Sequence, residues 1–252
     1  MAVAGISRLK SGIAEAFKAA FRWVEKVSTG SGGNMVQIKI CGLTNMEDVA
    51  YINQYKPDYA GMVMYFPKSP RNVDDKKAQK LLRNISPDIA KVAVTVSPTV
   101  SQLHLIENMG FDYIQIHKDV DSDVISQSRL PVIRAVNVSD NSNIDDTIKY
   151  LENMTECDKI YGVLFDAGVP GSGKTFDWDC VAAIRNELEI RNIKLFLAGG
   201  LNEDNVSGAV KQVKPDVVDV SSGVEYEDRP PGNGKDPEKI RQFIARARKA
   251  VN

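Results

Sequence analysis

Short apolar segments alternate with longer amphipathic ones from residue 36 to the C-terminus. The apolar segments have the length of single β-strands, and the segments between them have helical periodicity. Most of the apolar segments lack strict apolar–polar alternation, which is typical of parallel strands covered on both faces. Eight such segments occur, and each is followed by a predicted helix: VQIKIC, DYAGMVM, IAKVAVTV, FDYIQIH, PVIRAVNV, KIYGVLFD, IKLFLAGG and DVVDVSSG.

Eight βα units within residues 35–252 predict an α/β fold, a compact (β/α)8 TIM barrel. A doubly wound open sheet is the alternative, but it usually has fewer units, and no second domain is left to hold the extra strands. Chemistry in such barrels lies at the C-terminal ends of the strands and in the loops that follow them.

The first 34 residues follow a different pattern. Apolar residues from Ile6 to Val27 recur at alternating spacings of three and four, which predicts an amphipathic helix. The sequence STGSGG then predicts a flexible linker, and Met35 resembles an original start residue. We therefore predict an N-terminal amphipathic helical extension with its linker over residues 1–34 and a barrel domain over residues 35–252. The extension is interpreted as an appended or engineered leader; the alternative is a helix that docks on a partner, a shell or a membrane surface, or self-associates.

The composition narrows the class of protein. A formal net charge of -1 gives no support for a nucleic-acid partner, which would require an excess of Lys and Arg. Three scattered cysteines (Cys41, Cys157 and Cys180) do not form a disulfide framework, and two histidines without a cluster argue against a metal site. No apolar run approaches membrane-spanning length, so we expect a cytoplasmic protein.

The seventh and eighth predicted strands are followed by glycine-containing turns, LAGGLNEDN and VSSGVE. Backbone amides at glycines and helix N-termini bind phosphate in many barrels, commonly in these two loops. Gly200, Ser222 and Gly223 are therefore candidates for a phosphate site. Two ordinary tight turns are the alternative.

Two predicted strands end on chemically competent residues. Cys41 ends the first strand and could act as a base or a nucleophile, although a cysteine is more often a packing residue. Asp166 ends the sixth strand and could act as a general acid or base, or simply cap the next loop. Arg71, in a polar loop after the second strand, could bind a substrate carboxylate through two hydrogen bonds.

Residues 168–175, GVPGSGKT, match the nucleotide-binding P-loop pattern. In a P-loop the helix begins at the Gly-Lys-Thr itself, whereas here Asp177 is the better N-cap and predicts a start near Trp178. We interpret the match as coincidental, a mobile loop over the substrate. A nucleotide-binding protein remains the alternative of a different class.

Several segments in this order resemble the phosphoribosylanthranilate isomerase family of tryptophan biosynthesis: KICGLT, FPKSPRNV, QIH, FDAGVPGSGKTFDW, LAGGLNEDNV and VDVSSGVE. The resemblance implies an Amadori rearrangement of a small phosphorylated substrate, without cofactor or metal. It implies that Cys41 is the general base and Asp166 the general acid, and that Arg71 contacts the anthranilate carboxylate.

The same resemblance places Gly200, Ser222 and Gly223 at the phosphate. We interpret His117, at the end of the fourth predicted strand, as a polar substrate-binding residue rather than a catalyst. The sequence departs from the family at Lys118, where a Gly is usual, in VTVSPT after the third strand, and in the long connection YEDRPPGNGKD. A histidine-pathway sugar-phosphate isomerase of related fold is a further alternative, but that family usually has Asp in place of Cys41.

Overall fold

Eight parallel strands pair edge to edge around a closed circle in the computed structural model, which describes residues 35–137, 159–166 and 178–250. Each strand pairs with the next along the chain, and β1 pairs with both β2 and β8, so the sheet has no open edge. The strands are β1 Gln37–Ile40, β2 Tyr59–Met64, β3 Ala90–Val96, β4 Tyr113–His117, β5 Val132–Asn137, β6 Ile160–Asp166, β7 Lys194–Ala198 and β8 Val217–Val220. The predicted (β/α)8 barrel is confirmed.

Helices follow seven of the eight strands within the described ranges. They are α1 Met46–Tyr55, α2 Asp75–Leu82, α3 Val100–Met109, α4 Ser122–Ser126, α5 Trp178–Ile190, α6 Val206–Val213 and α7 Pro237–Lys249. A two-residue strand, Asn72–Val73, pairs with β2, and a 3-10 turn spans Ser222–Val224. The predicted leader, the helix expected after β5, and the GVPGSGKT segment lie outside the described residues.

Helix boundaries follow the capping residues of the sequence. Asn45 caps α1: its side chain accepts from the Asp48 amide, and the Asp48 carboxylate accepts in return, which forms a capping box. Gly110 follows α3 and ends it with a left-handed backbone, φ 95°. The Asn202 side chain accepts from the amides of Asp204 and Asn205 and so forms a turn, and α6 begins at Val206.

The barrel interior is closed at its N-terminal end by aromatic rings. Tyr59, Tyr113, Tyr161 and Phe196 form edge-to-face or tilted pairs with ring centroids 4.7–6.3 Å apart. The hydroxyls of Tyr59 and Tyr161 lie 2.8 Å apart and share a hydrogen bond. Because this layer fills the lower barrel, polar chemistry is confined to the middle and the C-terminal mouth. None of the described helices has the length and apolar character needed to span a membrane.

Candidate active site

Cys41 follows β1 at the barrel mouth. Its amide donates to the Val220 carbonyl at 2.8 Å, which extends the pairing of β1 with β8 by one residue. Gly61 on β2 faces it, since a Cβ atom at Gly61 would lie 2.9 Å from the Cys41 sulfur. Gly42 then turns the chain away with a left-handed φ of 77°. The thiol therefore occupies space that exists only because β2 carries a glycine there.

A buried ion pair lies beneath this thiol. Lys39 Nζ contacts Asp219 Oδ2 at 2.7 Å, and the side chains of both residues are nearly inaccessible to solvent, at 0% and 6% exposure. Sequence reasoning missed both residues. The available signal was a charged residue within an otherwise apolar strand, since such a charge is rarely buried without a partner.

The protonation of Cys41 depends on opposing effects. Burial raises the pKa of the thiol above its usual range, and the carboxylate of Asp219 adds to this. The ammonium groups of Lys39 and Lys235 act in the opposite direction. Burial alone would lower the pKa of Lys39, but Asp219 and Cys41 outweigh it and raise that pKa. Lys39 is therefore a permanent cation beside the thiol.

Asp166 is the last residue of β6, as predicted, and is partly buried. Burial and, to a smaller extent, the nearby Asp219 raise the pKa of its carboxyl group to about 6, although Lys39 acts in the opposite direction. A carboxyl group in this range can donate a proton near neutral pH, which an ordinary aspartate rarely does.

Arg71 is held by a carboxylate that sequence reasoning did not identify. Its Nε and Nη2 donate to Glu225 Oε1 and Oε2 at 2.6 and 2.7 Å, a bidentate pair. Lys235 Nζ lies 3.1 Å from Glu225 Oε1 and 3.0 Å from the Ser221 carbonyl. The Arg71 stem passes over Gly42, where a Cβ atom would approach its Cδ at 2.6 Å. The guanidinium thus lies at the mouth, near Cys41.

Asp48 connects the charged residues Glu225 and Lys235 to the loop between β1 and α1. Its Oδ1 accepts from the Lys235 amide at 2.8 Å, and its Oδ2 accepts from the Thr44 amide at 2.8 Å. The Thr44 hydroxyl donates to the Gly232 carbonyl at 2.8 Å. The long connection after β8, a departure from the family pattern, therefore packs against the first βα loop and holds Glu225 and Lys235 in place.

The two candidate phosphate loops lie side by side. Gly200 has a left-handed φ of 64° and is exposed, and its carbonyl accepts from the Asn205 side chain at 2.9 Å. A Cβ atom at Gly223 would overlap the carbonyl of Leu201, so the loop after β8 packs directly on the loop after β7. The exposed Ser222 begins the 3-10 turn, where the first amides have no partner within the turn. These amides can bind an anion.

His117 ends β4 and is half-buried. Its Nε2 lies 2.8 Å from the side-chain nitrogen of Gln115. Burial, with the neighbouring cations Lys39 and Arg134, lowers the pKa of His117 to about 4, so the ring is neutral near pH 7. Its Nε2 then accepts from Gln115, which leaves the other ring nitrogen as the donor. A neutral imidazole can bind a polar substrate group, in agreement with a binding rather than a proton-transfer role.

Lys118 keeps the conformation that a glycine would favour. Its φ is 60°, in the left-handed region, and its carbonyl accepts from Arg134 Nη1 at 3.0 Å. Arg134 also donates to the Ile116 carbonyl at 3.0 Å. The buried guanidinium stabilises the end of β4, so the departure at Lys118 does not open the loop.

The fold and these groups define a class of protein: a (β/α)8 barrel enzyme whose mouth carries a thiol, a carboxyl group of raised pKa and two adjacent glycine-containing loops. Among the described residues, no cluster of His, Cys, Asp and Glu could hold a metal ion.

Comparison with known proteins identifies the family. The family model of N-(5'phosphoribosyl)anthranilate (PRA) isomerase matches residues 38–246. The isomerase of Streptococcus mutans is 39% identical over 218 residues, covering 85% of this chain and all of that protein. The isomerase of Thermoanaerobacter pseudethanolicus is 36% identical over 216 residues, which cover 85% of this chain and 98% of that protein. The chain belongs to the phosphoribosylanthranilate isomerase family.

Solved structures agree with this assignment. The crystal structure of the isomerase from Thermotoga maritima has a TM-score of 0.73 at 33% identity and covers 85% of this chain and 100% of its own. Another, with a TM-score of 0.70 at 31% identity and the same coverage, holds reduced 1-(o-carboxyphenylamino)-1-deoxyribulose 5-phosphate. A relative of this chain thus binds a phosphorylated small molecule.

Proposed function

We propose that the protein converts N-(5'-phosphoribosyl)anthranilate to 1-(2-carboxyphenylamino)-1-deoxyribulose 5-phosphate, with Cys41 as general base and Asp166 as general acid. The reaction is the aldose–ketose isomerisation of tryptophan biosynthesis that gives the family its name. The observation that carries the proposal is the placement of a thiol and a carboxyl group of raised pKa at one barrel mouth.

Asp166 acts first. Its proton passes to the ribose ring oxygen while the bond between that oxygen and the sugar's first carbon breaks. The lone pair of the anthranilate nitrogen forms a C=N bond to the same carbon, giving an open-chain Schiff base. The raised pKa of Asp166 supports this role, because part of the carboxyl population is still protonated near neutral pH.

Cys41 acts second. Its thiolate removes the proton from the sugar's second carbon, and the electron pair of that C–H bond forms a C=C bond to the first carbon. The C=N electrons return to nitrogen, giving an enolamine, which tautomerises to the ketone. Lys39 supports this step because its ammonium group stabilises the thiolate.

The ends of the substrate are assigned to the remaining groups. Arg71 binds the anthranilate carboxylate with donors that Glu225 leaves available, since Glu225 engages only Nε and Nη2. Backbone amides around Gly200, Ser222 and Gly223 bind the phosphate, and His117 lines the pocket between the two ends. Neither cofactor nor metal enters this scheme.

The proposal extends to the rest of the chain. We interpret residues 1–34 as an appended leader that takes no part in the chemistry, with docking on another surface or self-association as the alternative, and we expect the protein to work in the cytoplasm. Deleting residues 1–34 should leave kcat and KM unchanged while altering the sedimentation behaviour. Loss of activity on deletion would contradict this division of the chain.

The fluorescence of phosphoribosylanthranilate, which is lost on turnover, tests the mechanism. Cys41→Ser and Asp166→Asn should each lower kcat by about 10²–10⁴-fold while product-like ligands still bind, because each removes one proton transfer. Cys157→Ala is the matched control and should keep the parental kcat. A Cys41→Ser variant with near-parental kcat would make the thiol a packing residue. Stabilisation by ATP, lost in Lys174→Ala, would instead favour a nucleotide-binding protein.

A further inference from the structure

One row of paired residues crosses the barrel wall between the two reacting groups. Asp166 on β6 pairs in register with Ala198 on β7, and Lys39 on β1 pairs with Asp219 on β8. β7 and β8 pair one residue earlier, Leu197 with Val218, and the same register puts Ala198 opposite Asp219. Residues paired in register on parallel strands point to the same face of a sheet. The four side chains therefore share the inner face of the barrel, and Asp219 lies between Asp166 and Lys39 along the row.

The ion pair in this row has a defined direction. Lys39 on β1 is two residues before Cys41, whose amide extends the pairing of β1 with β8. Both side chains therefore point into the barrel, and the Lys39 end of the ion pair is the end nearer to the thiol. Asp219 uses Oδ2 for Lys39 at 2.7 Å. Its Oδ1 is buried and has no hydrogen-bond partner within the described part of the chain. Between Asp219 and Asp166 the row carries only the methyl group of Ala198.

We propose that the Lys39–Asp219 ion pair is a positioning dipole that decides which reacting group holds the proton: its ammonium end stabilises the Cys41 thiolate, and its carboxylate end stabilises protonated Asp166. The inference rests on the proposed function, in which these two groups are base and acid. Neither Lys39 nor Asp219 needs to touch the substrate for this role.

The dipole matters because the reaction needs an unfavourable distribution of protons. Asp166, with a pKa of about 6, must be protonated while Cys41, whose pKa burial raises, is ionised. This is the minor of the two singly protonated forms. Its fraction rises tenfold for each pH unit by which the two pKa values approach one another. Lys39 lowers the pKa of Cys41 and Asp219 raises that of Asp166, so the pair brings the two values together.

Other charged groups face the same two residues. Lys235 and Arg71 lie near Cys41, but Glu225 pairs with both of them. His117 is neutral near pH 7. Within the described ranges, Asp219 and Lys39 are the charged groups that act on the pKa of Asp166.

Single variants of the pair should move the pH profile in opposite directions. Lys39 lowers the pKa of both Cys41 and Asp166, so Lys39→Met should shift both limbs of the kcat/KM profile to higher pH. Asp219 raises both values, so Asp219→Asn should shift both limbs to lower pH. We expect each shift to be about one pH unit or more.

The rate of Cys41 alkylation by iodoacetamide, measured by peptide mass spectrometry at a series of pH values, reports the ionisation of the thiol without requiring turnover. At pH 7, Lys39→Met should slow it by about tenfold, and Asp219→Asn should accelerate it, because the rate follows the thiolate fraction. Lys91→Met is the matched control: it removes the partly exposed Lys91–Asp112 ion pair at the start of β3, away from both reacting groups, and should leave both profiles unchanged.

The double variant Lys39→Met/Asp219→Leu decides the question if either single variant fails to fold. It leaves no unpaired buried charge, and such apolar replacements of buried ion pairs commonly fold. The Cys41 pKa should then rise and the Asp166 pKa fall. The pH profile should therefore become broader, and its plateau should drop by about tenfold or more.

If the Lys39–Asp219 ion pair only stabilised the fold, the pH profiles of the variants would differ from those expected above. The proposal is overturned if Lys39→Met and Asp219→Asn shift the pH profile in the same direction as one another or leave it in place, or if the folded double variant keeps the parental width and plateau. Failure of the proposed function is distinguishable, because the parent would then not convert phosphoribosylanthranilate at all. The alkylation profiles would still report the effect of Lys39 on Cys41.

Discussion

Replacing Glu225 by Gln should weaken both the fold and substrate binding. The Glu225 carboxylate accepts two hydrogen bonds from Arg71 and one from Lys235, and its side chain is only 9% exposed. A Gln amide with its oxygen at the Oε1 position still accepts from Lys235 and from Arg71 Nε, but its NH2 group then faces the Nη2 donor of Arg71. Glu225→Gln therefore leaves a buried or half-buried cation without its counter-charge.

The cost can be worked from this geometry. Breaking a fully buried ion pair by removing one partner costs about 3–5 kcal/mol. Arg71 is 19% exposed and keeps some contact with water, so we expect a loss of about 2–3 kcal/mol in the free energy of unfolding. The contacts of Arg71 and Lys235 lower the pKa of Glu225 despite its burial. This stabilisation is therefore present above the unfolded-state pKa and is lost as pH falls through the lower folded-state value.

Urea unfolding and steady-state kinetics measure the two effects. Glu225→Gln should lower the urea midpoint and raise KM by about tenfold, since the guanidinium of Arg71 is no longer oriented toward the substrate carboxylate. Glu227→Gln is the matched control two residues away: its carboxylate is 87% exposed and pairs with Lys239 at the surface, so neither quantity should change measurably. Equal midpoints for the two variants, with equal KM, would refute the reasoning.

Two further predictions concern backbone geometry at the mouth. Lys118→Gly should raise the free energy of unfolding by up to about 1 kcal/mol, because relief of the left-handed strain (about 1–2 kcal/mol) exceeds the added unfolded-chain entropy. Lys118→Ala, which keeps a Cβ atom in the left-handed conformation, is the control. A loss of stability of Lys118→Gly in urea unfolding would contradict this reasoning. Gly61→Ala should lower kcat by about 10–100-fold with a smaller change in KM, because its Cβ atom displaces the Cys41 sulfur. An unchanged kcat in the fluorescence assay would show that the thiol position is not critical.

Local features of the fold were predictable from the sequence because they depend on neighbours along the chain. Apolar segments of strand length predicted the eight strands, and Asn45 and Gly110 are residue types that commonly stand at helix ends, where the structure has them. The positions of Cys41 and Asp166 at strand ends also followed, since parallel barrels bring all such ends to one mouth. The structure places both residues there, and their roles in catalysis stay a prediction.

The charged partners were not predictable from the sequence. Lys39 and Asp219 lie 180 positions apart, and Arg71 and Glu225 lie 154 positions apart, so each pair exists only once the barrel closes. A lysine within an apolar strand indicates a partner but does not identify it. The sequence predicted Arg71 only as a residue that could bind a substrate carboxylate, whereas the tertiary structure shows that Glu225 holds it in place.

The sequence by itself determined which chemical groups reach the barrel mouth, because short segments of the chain determine where the strands and the helix caps lie. Only the tertiary structure decided their protonation. The pKa of a carboxyl or thiol depends on burial and on charges within a few ångströms, and for Cys41 and Asp166 these come from distant strands. Closing the sheet between β1 and β8 puts Lys39 against Asp219, and that contact sets the electrostatic environment of both reacting groups.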